Sequence, residues 1–594
     1  MKSTKFPNEH YFYWLAFLVA LILRLYRLGA TPLADAEASW ALQALGQTHA
    51  ATASIGAQPA YVLLTSLLFS IIGKSNFLAR FLPAVAGSLL VWLPFHFKRW
   101  MGASTWLHRA GLVLAFGLAI DPGLVSISRQ AGSLMPALAF TLLTLAAFYN
   151  QRMSWAGFFA CLALLSGPSF LQGLLILATS WGLFSLLGRK PTTTSPEAVE
   201  AGPILESSPA PSIIKSIPAF VLTLVFAGTL FLRVPQGLGG LADTLPAYFQ
   251  TWINPSGIPV LRLPVSLAVY QPLVLLFAVV AFVHTWLVKQ DEQQVQRIAL
   301  GLGLWAAVAF LLPLLYVGRQ VGDLSWCLIP LWALAALEIS RSWIPEADKT
   351  TRVVAACLAS LLFFMAIVGW LNLLALLRFQ VNIALYWASI IAAFLLGLIA
   401  VLLAAAGWSK KAAIRGVVGS LSILLMLQLL SSGIGMTMGR RSGAQELWPQ
   451  LPAAGQSDLL LVSLTDLSNW NTGLHDQLEI VVLNGTPSMQ WSLRNFANVR
   501  FETALSATES PPVVITPKGS QAPVLAEKYR GQDFVWSLYP GWQGAVPEDF
   551  LNWLVNRNAP LAQSQVILWA RVDIFPGVAP GTGEASNNTG STVP

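Results

Sequence analysis

The sequence is poor in charged residues. Asp, Glu, Lys and Arg make up only 10% of its 594 residues, whereas soluble domains carry about 25%. A globule of this size cannot cover its surface with so few charges, and 55% of the residues are hydrophobic. The composition excludes a cytosolic enzyme, a secreted disulfide scaffold and a nucleic-acid binder, and it indicates an integral membrane protein.

Cysteine is also scarce. Cys161, Cys327 and Cys357 lie inside apolar runs without the spacing of metal ligands, so we expect them to be packing residues. The net charge is +8, but most Lys and Arg residues lie between apolar runs, where they orient membrane helices. A nucleic-acid partner is therefore not implied.

Apolar runs long enough to cross a bilayer recur along the chain. They predict a mainly α-helical polytopic protein with about 13 transmembrane helices, at Tyr11–Leu28, Phe77–Phe97, Ala110–Ile120, Leu134–Tyr149, Met153–Ser166, Leu171–Leu187, Ile214–Leu232, Val265–Val288, Ile298–Val317, Leu324–Ile339, Val353–Leu377, Ile383–Trp408 and Ala413–Met438. A further candidate, Pro59–Gly73, is short, and we expect it to lie along the membrane surface.

The distribution of basic residues predicts the orientation. If Pro59–Gly73 does not span, the cytoplasmic side receives 17 of the 35 Lys and Arg residues, the outer side 11 and the C-terminal domain 7. The positive-inside rule then predicts a plasma-membrane protein with a cytoplasmic N-terminus, an external first loop and an extracytoplasmic C-terminal domain.

Composition also predicts the domains. Residues 1–190 form an N-terminal membrane module with its first external loop at 29–76, residues 191–212 a disordered cytoplasmic linker, residues 213–440 a second membrane module, residues 441–575 an extracytoplasmic α/β domain and residues 576–594 a flexible tail. Within the α/β domain, apolar patterning predicts a helix at Glu548–Asn556 and strands at Leu459–Leu464, Glu479–Leu483, Val513–Thr516, Phe534–Leu538 and Val566–Val572.

Four motifs follow one another in the first third of the chain: LRLYRLGATPLADAEASWALQAL, QPAYVLLTSLLFSIIGKSNFLARFLPAVAGSLL, AIDPGLVSISRQAGSLMP and LLSGPSFLQGLL. Their order over residues 23–177 resembles the protein O-mannosyltransferase and aminoarabinose-transferase (ArnT-like) branch of the GT-C membrane glycosyltransferases, similar to glycosyltransferase family 39. The resemblance implies a catalytic acid in the first external loop and an arginine, here Arg80, that opens the second span.

The chemistry of the outer membrane face supports the same expectation. Nucleotide sugars are absent there, so a transferase needs a polyprenyl-phosphate sugar, whose phosphate is already a good leaving group. One base to deprotonate the acceptor and cations to hold the phosphate then suffice. Asp35 and Glu37 are the candidate catalytic residues; we favour Glu37 as base and Asp35 as its partner, and the choice stays open. A helix cap is the structural alternative for either acid.

Phosphate binding is assigned to Arg80, Arg129 and Arg319, because the planar guanidinium group grips phosphate oxygens. The alternative for each arginine is an anchor that reaches lipid headgroups. Gln58, which stands where relatives often carry His or Lys, and His49 in the same loop complete the candidate site.

Leu134 departs from the resemblance, because relatives usually carry an acid at this place. No metal or other cofactor is therefore predicted, with a divalent metal as the alternative. The hypothesis is an inverting glycosyltransferase that moves a sugar, a hexose or a pentose, from a polyprenyl-phosphate donor to a glycan, lipid or protein acceptor of the cell envelope. A catalytically inactive glycan-assembly subunit is one alternative. A transporter or flippase is the other; its signature, charged residues or broken helices at mid-membrane, is weak in the sequence.

Overall fold

The computed structural model describes residues 9–49, 55–97, 105–187, 213–287, 293–342, 348–379, 383–438, 443–448, 453–506, 508–519 and 525–575. The predicted linker at 191–212 and the predicted tail at 576–594 lie outside the described residues. The chain divides into two units. Unit 1 comprises Met1–Ala30, Gln43–Gln450 and Gly541–Pro560, and unit 2 comprises Thr31–Leu42, Leu451–Pro540 and Leu561–Pro594. Both units are discontinuous in sequence, whereas the predicted domains are continuous.

Unit 1 is helical. Its helices are α1 (Glu9–Leu25), α2 (Asp35–His49, whose first half belongs to unit 2), α3 (Pro59–Ile72), α4 (Asn76–Leu89), α5 (Leu93–His96), α6 (Thr105–Ile120), α7 (Pro122–Ser128), α8 (Leu134–Tyr149), α9 (Met153–Leu164), α10 (Pro168–Leu187), α11 (Ile217–Gly228), α12 (Gly239–Ile253), α13 (Arg262–Tyr270), α14 (Pro272–Leu287), α15 (Gln293–Leu315), α16 (Ser325–Ser342), α17 (Lys349–Phe379), α18 (Ile383–Gly407) and α19 (Lys410–Met438).

The polytopic helical fold is confirmed. Within the described ranges, seven helices are long and apolar enough to cross a membrane, or nine if each of two bent pairs is one span. Every predicted span falls on an apolar helix, but α1, α8, α9 and α11 are shorter than those seven, so the count of 13 stays a prediction. At 14 residues, α3 is about 21 Å long and thus shorter than the hydrocarbon layer.

Each bent pair breaks directly before a proline. α6 and α7 bend by 52° at Asp121, which precedes Pro122, and α13 and α14 bend by 93° at Gln271, which precedes Pro272. Proline lacks the N–H group that continues a helix, and it disfavours helical backbone at the residue before it. Asp121 begins α7 by accepting a hydrogen bond from Leu124 N at 2.8 Å.

Unit 2 forms a mixed sheet with the strand order β1-β5-β6-β4-β2-β3 within its described residues. The central strands β4 and β2 are parallel, as are β2 and β3, and the remaining neighbours are antiparallel. The strands are β1 (Ala453–Ala454), β2 (Ile480–Leu483), β3 (Val499–Glu502), β4 (Val513–Pro517), β5 (Tyr529–Pro540) and β6 (Leu561–Arg571), with helices α20 (Ser457–Thr472) and α21 (Pro487–Ser492).

The strands predicted near the positions of β2, β4, β5 and β6 are confirmed, but the strand predicted at Leu459–Leu464 is wrong. This segment lies in α20, where Leu460, Leu464 and Leu467 are buried at helical spacing. A short apolar run does not by itself distinguish a strand from a buried helix. The helix ends at Gly473, whose left-handed φ of 72° suits glycine.

Between β5 and β6 the chain leaves unit 2 and packs within unit 1. This segment, Gly541–Pro560, contains the predicted helix, observed as α22 (Phe550–Asn556). Arg557 directly after α22 lies 3.9 Å from Glu446, and both side chains are buried. The Tyr270 hydroxyl also donates to Glu446. The segment is therefore fixed by a buried ion pair whose carboxylate has a second partner.

Trp553→Ala is expected to destabilise the protein by about 3–5 kcal/mol, the range for removing a buried large side chain. Trp553 is 0% exposed, and its Nε1 donates to Gln445 O at 2.6 Å. Unfolding midpoints in detergent measure the effect. Trp470, which is 53% exposed, is the control. Equal shifts for the two alanine variants contradict the assignment of Trp553 to the core.

Candidate functional site

Both candidate acids lie in the first turn of α2, in the part of that helix that belongs to unit 2. Glu37 is 2% exposed, and its Oε2 accepts a hydrogen bond from Ala34 N at 3.1 Å, one half of a capping box. A carboxylate here also opposes the positive end of the helix dipole. Glu37 thus stabilises the start of α2, which is the structural alternative given above.

Asp35 is more accessible than Glu37. Its Oδ1 accepts from Ser488 N, in α21, at 3.0 Å, and the residue is only half-buried. Among the contacts of the described residues, Asp35 uses Oδ1 alone, so Oδ2 remains for proton transfer. Ser488 is itself held, because its Oγ accepts from Trp536 Nε1 at 3.1 Å. The geometry therefore gives Asp35 a fixed carboxylate with one available oxygen.

Arg80 and Arg129, which lie in unit 1, meet at the carbonyl end of α1. Arg80 is 3% exposed, and its Nη1 donates to Leu28 O at 3.2 Å. Arg129 Nη1 donates to the carbonyl oxygens of Leu23, Arg24 and Tyr26 at 3.1, 3.0 and 2.8 Å. Carbonyls at a helix end lack helical partners and favour cations. Arg129 therefore caps α1, and Arg80 binds the turn that follows it.

Arg129 keeps its charge and one donor. Burial, and then the positive charge of Arg80, lower the pKa of Arg129 to about 10, so Arg129 is protonated at neutral pH. Its Nη2 donates to Thr437 O at 3.2 Å. Because the contacts within the described part of the chain use only Nη1 and Nη2, the Nε–H group remains for a ligand.

Two residues next to these arginines, Arg24 and Asp121, were not predicted from the sequence to belong to the site. Arg24 is fully buried in α1, and its Nε donates to Ser128 Oγ at 3.1 Å. Asp121 is also fully buried and interacts electrostatically with Arg24. A charged pair buried in apolar helices is the one signal that could have identified them. We define Arg24, Arg80, Arg129 and Asp121 as the arginine cluster.

Gly87→Ala is expected to destabilise the protein by about 1–3 kcal/mol through overpacking. A Cβ at Gly87 would lie 2.1 Å from Ser128 Oγ and 3.1 Å from Arg24 Nε. Gly369→Ala in α17 is the matched control, because no described heavy atom lies within 4 Å of its Cβ position, and we expect it to stabilise by up to about 1 kcal/mol. Unfolding midpoints that fail to separate the two variants contradict this packing.

Arg319 belongs to a second polar group. The Tyr316 hydroxyl donates to Asp323, which also accepts from Gln320 N at 2.8 Å. Arg319 Nη1 donates to Ile258 O at 3.2 Å, and its Nε–H lacks a partner in the part of the chain that is described.

The remaining predicted residues lie at the ends of helices. Gln58 precedes α3, and its buried Oε1 has no hydrogen-bond partner among the described residues. A Cβ at Gly167 would lie 3.5 Å from Gln58 Cγ. His49 ends α2, but its side chain lies outside the described residues. Leu134 packs against the backbone beside Asp323, because a Cβ at Gly322 would lie 2.9 Å from Leu134 Cδ2. The described ranges contain no group of three His, Cys, Asp or Glu residues able to hold a metal.

No protein-family model and no curated protein matches the chain. Several solved structures, however, are similar to it. ArnT from Cupriavidus metallidurans in the apo state has a TM-score of 0.50 and 15% identity, over 94% of this chain and 97% of that chain. The same protein bound to undecaprenyl phosphate has a TM-score of 0.49, 15% identity and coverages of 94% and 98%.

An oligosaccharyltransferase from Archaeoglobus fulgidus, tethered to an acceptor peptide, is more distant, with a TM-score of 0.42, 13% identity and coverages of 84% and 64%. At these identities a likeness concerns the fold alone, and the apo ArnT comparison has a TM-score of 0.50. That comparison extends over nearly the whole of both chains. The chain therefore has the fold of ArnT, as the sequence resemblance predicts.

Proposed function

We propose that the chain is a glycosyltransferase that moves a sugar from a polyprenyl-phosphate donor to a glycan, lipid or protein acceptor at the outer membrane face. The arginine cluster is the observation that carries this proposal, because it holds three guanidinium groups that interact with one another and only one carboxylate, Asp121, which interacts with Arg24. An excess of guanidinium groups suits a phosphate, whose oxygens accept charge-assisted hydrogen bonds. Arg129, with its remaining Nε–H donor, is the proposed phosphate ligand.

Asp35 is the proposed general base. Its Oδ2 takes the proton of the acceptor hydroxyl while the acceptor oxygen bonds to the anomeric carbon of the sugar. The bond from that carbon to the phosphate oxygen breaks, and its electron pair leaves with the polyprenyl phosphate. This single displacement inverts the anomeric centre. Glu37 is buried and accepts a hydrogen bond from Ala34 N, so we assign it to positioning the start of α2. This assignment reverses the preference for Glu37 as the base that was drawn from the sequence.

One observation favours a second function. The two broken helix pairs and the buried Arg24 and Asp121 are the features that a transporter or flippase of lipid-linked sugars requires. This signature is weak in the sequence, where few charged residues stand within the predicted spans. A transporter moves the donor intact, whereas a transferase cleaves it, so the two functions differ in their product.

Proteoliposomes that contain a lipid-linked sugar, labelled in the sugar, separate the two functions. The proposal predicts that the label moves to an added acceptor and that polyprenyl phosphate accumulates. Replacing Asp35 and Glu37 together by alanine should abolish this transfer. Label that crosses the bilayer while still attached to its lipid, with no release of polyprenyl phosphate, contradicts the proposal and supports the transporter.

A further inference from the structure

Arg24 replaces the hydrogen bond that a proline removes from a neighbouring helix. The carbonyl of Leu118 in α6 would accept from residue 122, but Pro122 has no N–H group. Instead, Arg24 Nη2 donates to Leu118 O at 3.0 Å, and Arg24 Nη1 donates to Ala119 O at 2.9 Å. These buried bonds fasten α1 to the broken end of α6.

Arg129 makes the corresponding contact in the opposite direction, from the end of α7 to α1. It follows α7, the second half of the broken pair, and donates to the last carbonyls of α1. Each partner thus caps the carbonyl end of the other: Arg24 of α1 caps α6, and Arg129 beyond α7 caps α1. Arg24 Nε also bonds Ser128 Oγ, beside Arg129. The position of Arg129 is therefore coupled to that of Arg24.

Asp121 holds the bend between the two helices. Its Oδ1 caps α7 through Leu124 N, and its Oδ2 accepts from Trp332 Nε1, both at 2.8 Å. The carboxylate also offsets part of the buried charge of Arg24. Since α7 has only seven residues, a change of the bend at Asp121 moves Arg129 directly.

We propose that Arg24 and Asp121 are positioning residues that fix the bend ending at Arg129 and so direct the Nε–H group of Arg129 to the lipid phosphate. Arg24 does not touch the substrate, because its Nε, Nη1 and Nη2 atoms all donate within the protein. The inference rests on the proposed function only for the identity of the ligand, a phosphate carried by a polyprenyl lipid.

A double-mutant cycle tests the coupling, with polyprenyl phosphate as the probe and its Kd in detergent as the readout. Arg24→Met should raise the Kd about tenfold in the native chain, but less than twofold when Arg129 is already leucine, because the donor that Arg24 orients is then gone. Arg24→Lys, which keeps the charge and one donor, should restore part of the affinity. If Arg24→Met raises the Kd by the same factor in the native chain and in the Arg129→Leu chain, the inference is overturned, because a residue with only a structural role acts independently of Arg129.

Trp332→Phe keeps the inference testable if Arg24→Met does not fold. It removes the Nε1 donor to Asp121 and part of the buried indole volume while keeping an aromatic ring, and it should raise the Kd in the native chain but not in the Arg129→Leu chain. Arg378→Met, at an exposed arginine in the last turn of α17, is the control without effect. Coupled binding without sugar transfer to any acceptor would reject the proposed function and retain this inference. Sugar transfer together with additive effects of the Arg24 and Arg129 substitutions on the Kd would retain the proposed function and reject this inference.

Discussion

Asp35→Asn should lower the rate of sugar transfer by about 10²- to 10⁴-fold, the contribution of a general base. Asparagine keeps an oxygen that can accept from Ser488 N, so the contact between α2 and α21 is retained. It cannot take a proton from the acceptor hydroxyl, however. The loss should therefore appear in kcat, with the KM for the donor and the unfolding midpoint nearly unchanged.

Glu37→Gln is the matched comparison for Asp35→Asn. Glutamine keeps an oxygen for Ala34 N and loses the charge at the helix start, so we expect less than a tenfold loss of rate and a lower unfolding midpoint. The opposite ranking, with Glu37→Gln nearly inactive and Asp35→Asn active, returns the base to Glu37, as favoured from the sequence. Full activity in both variants removes the base from this loop.

Arg129→Leu should weaken the binding of polyprenyl phosphate about 10- to 100-fold, because a hydrogen bond to a charged group contributes about 1.5–3 kcal/mol. The variant also leaves the carbonyls at the end of α1 without their cap, so its unfolding midpoint should fall. Arg129→Lys keeps the charge but not the planar fork, and it should bind with intermediate affinity. The Kd for polyprenyl phosphate and the KM for the donor measure both changes.

Arg319→Gln provides the contrast within unit 1. Arg319 also keeps an unpartnered Nε–H within the described residues, but it lies with Tyr316 and Asp323, where a carboxylate opposes an anion. We expect less than a threefold change in the Kd for polyprenyl phosphate. A large loss with Arg319→Gln and none with Arg129→Leu moves the phosphate site to this second group.

The fold could be predicted because the apolar runs are long and the basic residues interrupt them. The sequence also indicated the outer domain, but the leucines of α20 were mistaken for a strand because a run of six residues with five apolar positions fits either period. β3, an edge strand that was not predicted, alternates apolar and charged residues over only four positions. Packing against a sheet decides both cases, and packing is not local in sequence.

The candidate site was predicted only in part. Asp35, Glu37, Arg80 and Arg129 stand in motifs, so the resemblance identified them. Arg24 and Asp121 stand in the same motifs, but the motifs gave them no role. Arg24 contacts residues that lie 94 to 104 positions further along the chain, and only the fold brings them together. The backbone contacts of Arg80 and Arg129 were likewise invisible, since the accepting carbonyls belong to a distant part of the chain.

A structure of the chain with bound polyprenyl phosphate tests the central claim most directly. The account predicts phosphate density within hydrogen-bonding distance of the Arg129 guanidinium group, with the bonds of Arg24 to Leu118 and Ala119 retained. Phosphate density at another charged group of unit 1, such as His284, Glu338 and Arg341, with no lipid near Arg129, would contradict it.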